Sequence, residues 1–471
     1  MTVPTSAPAC AAVILAAGRS TRMRSAIPKP LHTLCGRPLT RLVIDACRRA
    51  GIERVVVVVG HESEMVRAGL GDDVEYALQT EQRGSGDAAR AAEPVLRGFS
   101  GEVLVLAGDV PLLKPETLKR LVAHHRRASA AATLLTATLD DPTGYGRILR
   151  SPEGTVARIV EHNDATPEER TIKEWNPSLY CFDAAALFGA LARIRPNNAQ
   201  RELQLTDTVG VLTADGGRVE AVATDDAREV AGVNTRVELA AAAATLRRRL
   251  LTDLMLSGVT VVDPAATYVD VGVTVGRDTV LEPQTFLHGD TALGEGCAIG
   301  PFACLRDCRV GDRCVIVASH LVSAEIGSSV RIGPFANLRP GCRLADGVRI
   351  GDFVELKNTA LGPGTSASHL TYLGDAEVGA RANIGAGVVT CNYDGFRKHR
   401  TVIGDGAFVG THTTFIAPLE VGAGAVTAAG SVLTEDVPTD SLAIARSRAV
   451  IKPDWARRWR AAREKHDGSD A

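Results

Sequence analysis

The chain has 471 residues, 45% of them apolar and 23% charged, with a net charge of -2. That length exceeds one ordinary core and predicts two domains, and the composition is that of a soluble globular protein. The near-zero charge gives no ground for a nucleic-acid partner. No stretch is apolar enough for long enough to span a bilayer, so no membrane partner is expected either.

The chain opens "MTVPTSAPACAAVILAAG", with no basic residue before the apolar run. A short tail and a first strand are expected, not a signal peptide, and the protein is expected in the cytoplasm. "AAVILAAG", "RVVVVVG" and "EVLVLAGD" are β-branched runs that end at Gly or Gly-Asp, as strands buried on both faces of a parallel sheet do. Helical segments at 39–50 and 116–127 lie between such runs, which gives a doubly wound α/β pattern. Ligands bind beyond the carboxyl ends of such strands, where Gly18 and Asp109 lie.

Residues 15–32 read "LAAGRSTRMRSAIPKPLH". After Leu15, the small residues Ala16, Ala17 and Gly18 let backbone N–H groups approach an anion. Arg22 and Lys29 add fixed positive charge suited to a triphosphate. The competing interpretation is an ordinary strand-to-loop turn with solvated basic residues. Residues 235–256 contain neither Gly nor Pro and predict one strong helix, taken as a connector. The expected boundaries are 1–234, 235–257 and 258–471.

Beyond Gly258 the period changes. Aliphatic-Gly pairs recur at Val275, Leu293, Ile299, Val310, Ile326, Ile332, Ile350, Leu361, Val378, Ile384, Ile403, Val409 and Val421, the mark of a parallel β-helix of hexapeptide repeats. Residues 391–400, "CNYDGFRKHR", break the period, as functional or contact loops do. A solenoid leaves long flat walls, which closure around an axis would bury, so a homotrimer is expected. The ten cysteines form no CxxC pair and read as small buried hydrophobes.

Within the repeat His369 stands out, since an imidazole titrates near neutrality and can take a proton. Glu355 is the carboxylate expected to orient it. Arg339 and Lys357 lie one coil apart and stack, and two like charges so placed point to a bound anion. Tyr372 and Asn383 are expected to complete that pocket. In the basic tail, Trp455 and Trp459 at helical spacing predict an amphipathic helix packed on the β-helix; the alternative is that its arginines hold phosphates.

"LAAGxxTRM", "PKxLH", "GDVPLL", "GYGRI", "IVEHxDAT", "NNAQxE" with "LTD", and "GVNTR" resemble the N-terminal domain of the bifunctional family that makes UDP-N-acetylglucosamine. "DFVELKN", "HLTYLGDAEVG", "NIGAGVVTCNYDG" and "LAIAR" resemble its acetyltransferase domain, in the same order and over nearly the whole chain. The resemblance implies an α/β Rossmann-like nucleotidyltransferase domain followed by a left-handed parallel β-helix. It implies uridylyl transfer from UTP to N-acetylglucosamine 1-phosphate, and acetyl transfer from acetyl-CoA to glucosamine 1-phosphate.

By that resemblance Asp109 and Asn234 hold Mg2+, and Arg22 and Lys29 bind and neutralise phosphates. Gln79, Gly84 and Ser85 meet the uracil, and Gly146, Glu161 and Asn176 the sugar. His369 is the general base of acetyl transfer, with Arg339, Lys357, Tyr372 and Asn383 around the sugar phosphate. Ala386, Asn392, Tyr393, Thr411, Ala429 and Arg446 fall at acetyl-CoA positions. The chain departs from the family pattern at Ala107, Asn163, Pro177, Ser178, Leu203 and Gln204, all near the sugar end, and at Thr411, where serine is common. An acetyltransferase whose first domain serves another sugar 1-phosphate is the alternative these departures keep open.

Overall fold

The computed structural model describes residues 9–18 and 21–467, the last four of these as backbone only. The expected N-terminal tail, Arg19 and Ser20 of the glycine-loop motif, and the end of the basic tail lie outside the described residues. The chain forms two compact units, Met1–Asp253 with Tyr268–Gly272, and Leu254–Thr267 with Val273–Ala471.

The first unit is built on a mixed sheet. Its central strand, Cys10–Leu15, pairs in parallel with Arg54–Val59 on one side and Glu102–Ala107 on the other. These valine- and leucine-rich strands are buried on both faces by helices, which is why they read as unbroken apolar runs. Beyond Glu102–Ala107 the sheet stops being purely parallel: Leu179–Asp183 runs antiparallel to it and to Ala132–Thr138. Leu15 and Ala107 end neighbouring parallel strands, so Gly18 and Asp109 share one edge.

The helix Arg236–Leu256 is present but is no free connector. Leu239, Ala243 and Leu246 pack with Leu34, Leu39, Leu42 and Leu112, and Arg249 Nη1 donates to Leu112 O at 2.6 Å. Its first turns belong to the core of the first unit.

The second unit is a left-handed β-helix of three parallel sheets with 11, 10 and 9 strands. One buried column of side chains fills each sheet's inner side: Leu281, Ile299, Ile316, Ile332 and Ile350 in the first, Leu287, Leu305, Leu321, Leu338 and Leu356 in the second, Leu293, Val310, Ile326, Leu344 and Leu361 in the third. Buried hydroxyls close the corners. Thr365 Oγ1 donates to Gly379 O at 2.6 Å and accepts from Ala382 N at 3.2 Å. The coil advances 17 residues from Ala360 to Glu377 and 25 from Ala376 to Thr401. The surplus is the loop at 391–400, which leaves the prism without disturbing its inner columns.

The glycines of the repeat serve close approach between coils. A Cβ on Gly362 would lie 2.5 Å from the carbonyl carbon of Gly379 and 2.6 Å from Ala380 N, well inside contact distance and against backbone that cannot swing aside. Gly362→Ala is therefore expected to destabilise the second unit by about 1–3 kcal/mol. Calorimetry should show that unit's unfolding transition moving down while the transition of the first stays in place.

Candidate functional sites

At the carboxyl edge of the first unit's sheet a 240 Å³ pocket is lined by Leu15, Ala16, Gly18, Lys29, Ser85, Asp109, Ala107 and Ser178, among others. Not every small residue of the glycine loop is a donor here. Ala16 N already donates to Val58 O at 2.9 Å, continuing the sheet, and Ala17 is buried and does not line the pocket. The expectation that all three small positions approach an anion therefore narrows: Ala16 contributes shape, because the strand's ladder extends one residue further than the sequence shows.

Asp109, Asn234, Lys29 and Arg22 converge. Lys29 Nζ donates to Asp109 Oδ2 and to Asn234 Oδ1 at 2.7 Å, and Arg22 Nη2 reaches the same Asn234 oxygen at 3.0 Å. Two side-chain oxygens thus face one cationic point, which is a donor set suited to a hard divalent ion. Among the described residues no cluster of three or more His, Cys, Asp or Glu could hold a metal alone. An ion held by Asp109 and Asn234 would complete its shell with substrate phosphates and water.

Gln79 is buried and its Nε2 donates to Gly84 O at 3.1 Å and Asp87 Oδ2 at 3.0 Å. Ser85 Oγ accepts from Leu205 N at 3.0 Å, and Leu203 N donates to Arg83 O at 2.7 Å. The loop expected to meet the base is therefore pinned to 203–205, which includes Leu203 and Gln204, two of the positions noted above as departures. At the end expected to hold the sugar, Gly146 lies beside Ile159 and Glu161: a Cβ there would come 3.1 Å from Ile159 Cγ2 and 3.4 Å from Glu161 Oε2. Burial pushes the Glu161 carboxyl above its ordinary range, and the charges of Asp164, Asp207 and Glu202 add to this against a hydrogen bond from Thr206. Asn176 is buried, donating to Tyr180 Oη at 2.6 Å. Of the departures, Gln204 is buried and Asn163 exposed.

In the second unit, His369 Nδ1 bonds Asp352 Oδ1 at 2.6 Å. This corrects the expected pairing with Glu355. Asp352 and His369 are register partners in one sheet, whereas Glu355 begins the next sheet beyond the corner and accepts from Arg339 Nη1 at 3.1 Å. The hydrogen bond from His369 holds the Asp352 carboxyl below its usual range. A carboxylate can only accept, so it places the proton on Nδ1 and leaves Nε2 as the basic nitrogen.

The strand register carries the same column upward. Ser366 and Ala367 pair with Asn383 and Ile384, which sets Ala386 above His369. Asn383 pairs with Phe408, and Phe408 with Val426, which sets Thr411 and Ala429 above Ala386. Arg446 stands beside Gly430, one residue on. Five expected residues from two expected sites thus line one corner of the prism.

Around that corner Glu355 pairs with Tyr372 and Lys357 with Gly374. Tyr372 leans over Gly374, where a Cβ would meet its phenol oxygen. Asp375 was not foreseen. It accepts from Asn358 Nδ2 at 2.7 Å and from Asn392 Nδ2, and lies 3.8 Å from Lys357 Nζ. Burial raises its pKa, but those hydrogen bonds and the Lys357 charge outweigh burial and leave it lowered. Asn392 is accordingly buried and Tyr393 exposed. The tail helix Trp455–Asp467 does not pack as expected: Trp455 and Trp459 stack on each other at 6.0 Å with Arg463 over Trp459, and both remain exposed. Two indoles four residues apart satisfy one another.

Residues 12–208 match the MobA-like NTP transferase domain, and 323–358 the bacterial transferase hexapeptide (six repeats). Over 449 residues the chain is 50% identical to the bifunctional protein GlmU of Pelobacter propionicus, covering 94% of this chain and 97% of that one. It is 49% identical to that of Trichlorobacter lovleyi, covering 94% and 97%. It is 48% identical to that of Heliobacterium modesticaldum, covering 97% and 99%.

The raised carboxyl of Glu161 has a thermodynamic consequence. A carboxyl group whose pKa is higher folded than unfolded costs stability as pH rises through and above its ordinary range. Glu161→Gln is expected to melt higher than the parent at pH 7, with the difference vanishing near pH 4. Calorimetry at the two pH values checks this.

Proposed function

The chain belongs to the GlmU family of bifunctional enzymes, and from that premise we infer how its two units divide the work. It makes UDP-N-acetylglucosamine, with a uridylyltransferase in the first unit and an acetyltransferase in the second. The single observation that carries the assignment of residues is the corner column, which joins the Asp352–His369 pair to Ala386, Thr411 and Ala429.

In the second unit the acyl-CoA is acetyl-CoA and the acceptor is glucosamine 1-phosphate. Arg339 and Lys357 bind the sugar phosphate, Arg339 being steadied by Glu355 and Lys357 by Asp375. Tyr372 and Asn383 complete the pocket. As the substrate nitrogen bonds to the acetyl carbon, His369 Nε2 takes its proton. The carbon–sulfur bond breaks, and that proton leaves with the CoA thiol. Asp352 stabilises the imidazolium in between. An amine attacks a thioester directly, so the step needs no protein nucleophile. Asn392, Tyr393, Thr411, Ala429 and Arg446 hold the CoA.

In the first unit a phosphate oxygen of N-acetylglucosamine 1-phosphate bonds to the α-phosphorus of UTP as the bond to pyrophosphate breaks. Such a displacement needs positioning and charge neutralisation more than covalent chemistry. Arg22 and Lys29 supply fixed charge, Gln79, Gly84 and Ser85 hold the uracil, and Gly146, Glu161 and Asn176 hold the sugar. The divalent cation is Mg2+, held by Asp109 and Asn234, and when bound it neutralises phosphate charge. The enzyme works as a homotrimer in the cytoplasm; no helix among the described residues is long and apolar enough to cross a membrane.

His369→Ala is expected to lower acetyl transfer about 10²–10⁴-fold and spare uridylyl transfer, while Asp109→Ala does the reverse. Release of CoA thiol and of pyrophosphate, measured separately, reports each. If either variant removed both activities from folded protein, two independent sites would be wrong. Asp352→Ala should lower kcat for acetyl transfer, and Glu355→Ala should instead raise KM for the sugar phosphate through Arg339. Equal effects on kcat would restore Glu355 as the partner of the imidazole.

A further inference from the structure

We propose that Glu238 is a positioning residue for the first unit's metal site: its carboxylate fixes the backbone that carries Asn234 and so sets the affinity for the divalent cation. The inference rests on reading Asp109 and Asn234 as the metal ligands.

Asn234 immediately precedes Thr235 and the helix Arg236–Leu256. One oxygen of Glu238, Oε2, accepts from Asn234 N at 2.6 Å and from Thr235 N at 2.7 Å. Glu238 N in turn donates to Thr235 Oγ1 at 3.2 Å. This is a capping box, in which the N3 carboxylate reaches back to the N-cap N–H. Here it also takes the N–H of the residue before the cap, and that residue bears the ligand. From the other side Val233 N donates to Asp109 O at 2.9 Å. A Cβ on Gly232 would come within 3.5 Å of Asp109 Oδ1 and 3.7 Å of Asn234 Nδ2. The segment 232–234 is thus held at one end by the first ligand's own backbone and at the other by Glu238.

Two physical effects make this hold matter for metal affinity. An asparagine amide oxygen is a neutral ligand and contributes only while the protein keeps it aimed, and groups that orient ligands are typically worth 10–100-fold in affinity. The N-terminus of a long helix also carries positive potential that opposes a nearby cation. A carboxylate bonded to that terminus offsets it. Glu238 exerts both effects through the backbone, its Oε2 being taken up by two backbone N–H groups.

The test is Mn2+ titration of the full-length chain, followed by electron paramagnetic resonance, with melting temperature measured on the same samples. Glu238→Ala is expected to weaken Mn2+ binding about 10–100-fold. Glu238→Gln, which keeps an accepting oxygen, should recover most of the loss. Thr235→Ala removes the hydroxyl half of the capping box but leaves the Asn234–Glu238 bond. It should lower the melting temperature without changing Mn2+ affinity. Acetyl transfer should be unchanged throughout. If Glu238→Ala proves too unstable to titrate, Glu238→Asp keeps the charge and shortens the reach, and must weaken binding. The proposal is overturned if Glu238→Ala binds Mn2+ within about twofold of the parent, if Thr235→Ala weakens it as much, or if Gln gives no recovery. Asp109→Ala separates the two levels: unchanged Mn2+ binding in that variant would overturn the ligand assignment itself, and the inference with it.

Discussion

The second unit depends on one constraint, the distance the chain advances in a single turn of the prism. Aliphatic side chains must fall on aliphatic side chains, and glycines must face backbone at distances no Cβ would tolerate. Once those demands are met, the outer positions have no freedom left. Any residue lies directly above the one a coil earlier, whether or not that helps chemistry. Asp352 meets His369, and His369 lies beneath Ala386, because Ile350, Ala367 and Ile384 are stacked inside. The core of the solenoid sets the register of the corner that carries His369.

That dependence explains what could be read in advance. Arg339 and Lys357 are visible as a pair from their spacing alone, and the interruption at 391–400 from the failure of the period. The partner of His369 was not visible, because the coil's advance varies with the length of each corner. Glu355 and Asp352 are both acidic and both about a coil before the histidine, and only the sheet each belongs to separates them. Asp375 escaped for another reason: within "YLGDAEVG" it reads as a turn residue, and its three polar partners come from two different coils. The tryptophans misled because an apolar pair at helical spacing leaves open whether it buries itself on the protein or on itself.

The first unit offered less to read. The two residues proposed to hold its cation, Asp109 and Asn234, are 125 residues apart, and no repeat relates them. Motif resemblance carried Asp109 and Asn234, whereas the sheet edge and the helix start that bring them together became apparent only from the fold. Glu238 had a sequence signal, a threonine followed three residues later by glutamate ahead of a helix. It reads as an ordinary cap until the structure shows which residue's N–H the carboxylate also takes. The small residues of the glycine loop show the opposite error: composition made Ala16 a free donor, and the strand's ladder had already claimed it.

The two units therefore place polar groups by different means, and the break in the repeat shows where the means meet. In the second sheet's inner column, between Leu373 and Phe415, stands Thr390. An inward hydroxyl in an aliphatic column needs partners, and Thr390 Oγ1 accepts from Gly374 N at 2.8 Å and donates to Gly374 O at 3.2 Å. Gly374 is the residue over which Tyr372 leans, and it precedes Asp375, to which Asn392 is tied. The loop leaves the prism immediately after Cys391, so the regular ladder cannot serve Gly374, and the hydroxyl replaces it. A polar side chain inside the column is thus what lets the coil open outward without leaving backbone groups unpaired. The chain departs from its period by eight residues, and Tyr372 over Gly374 and Asn392 on Asp375 keep their places.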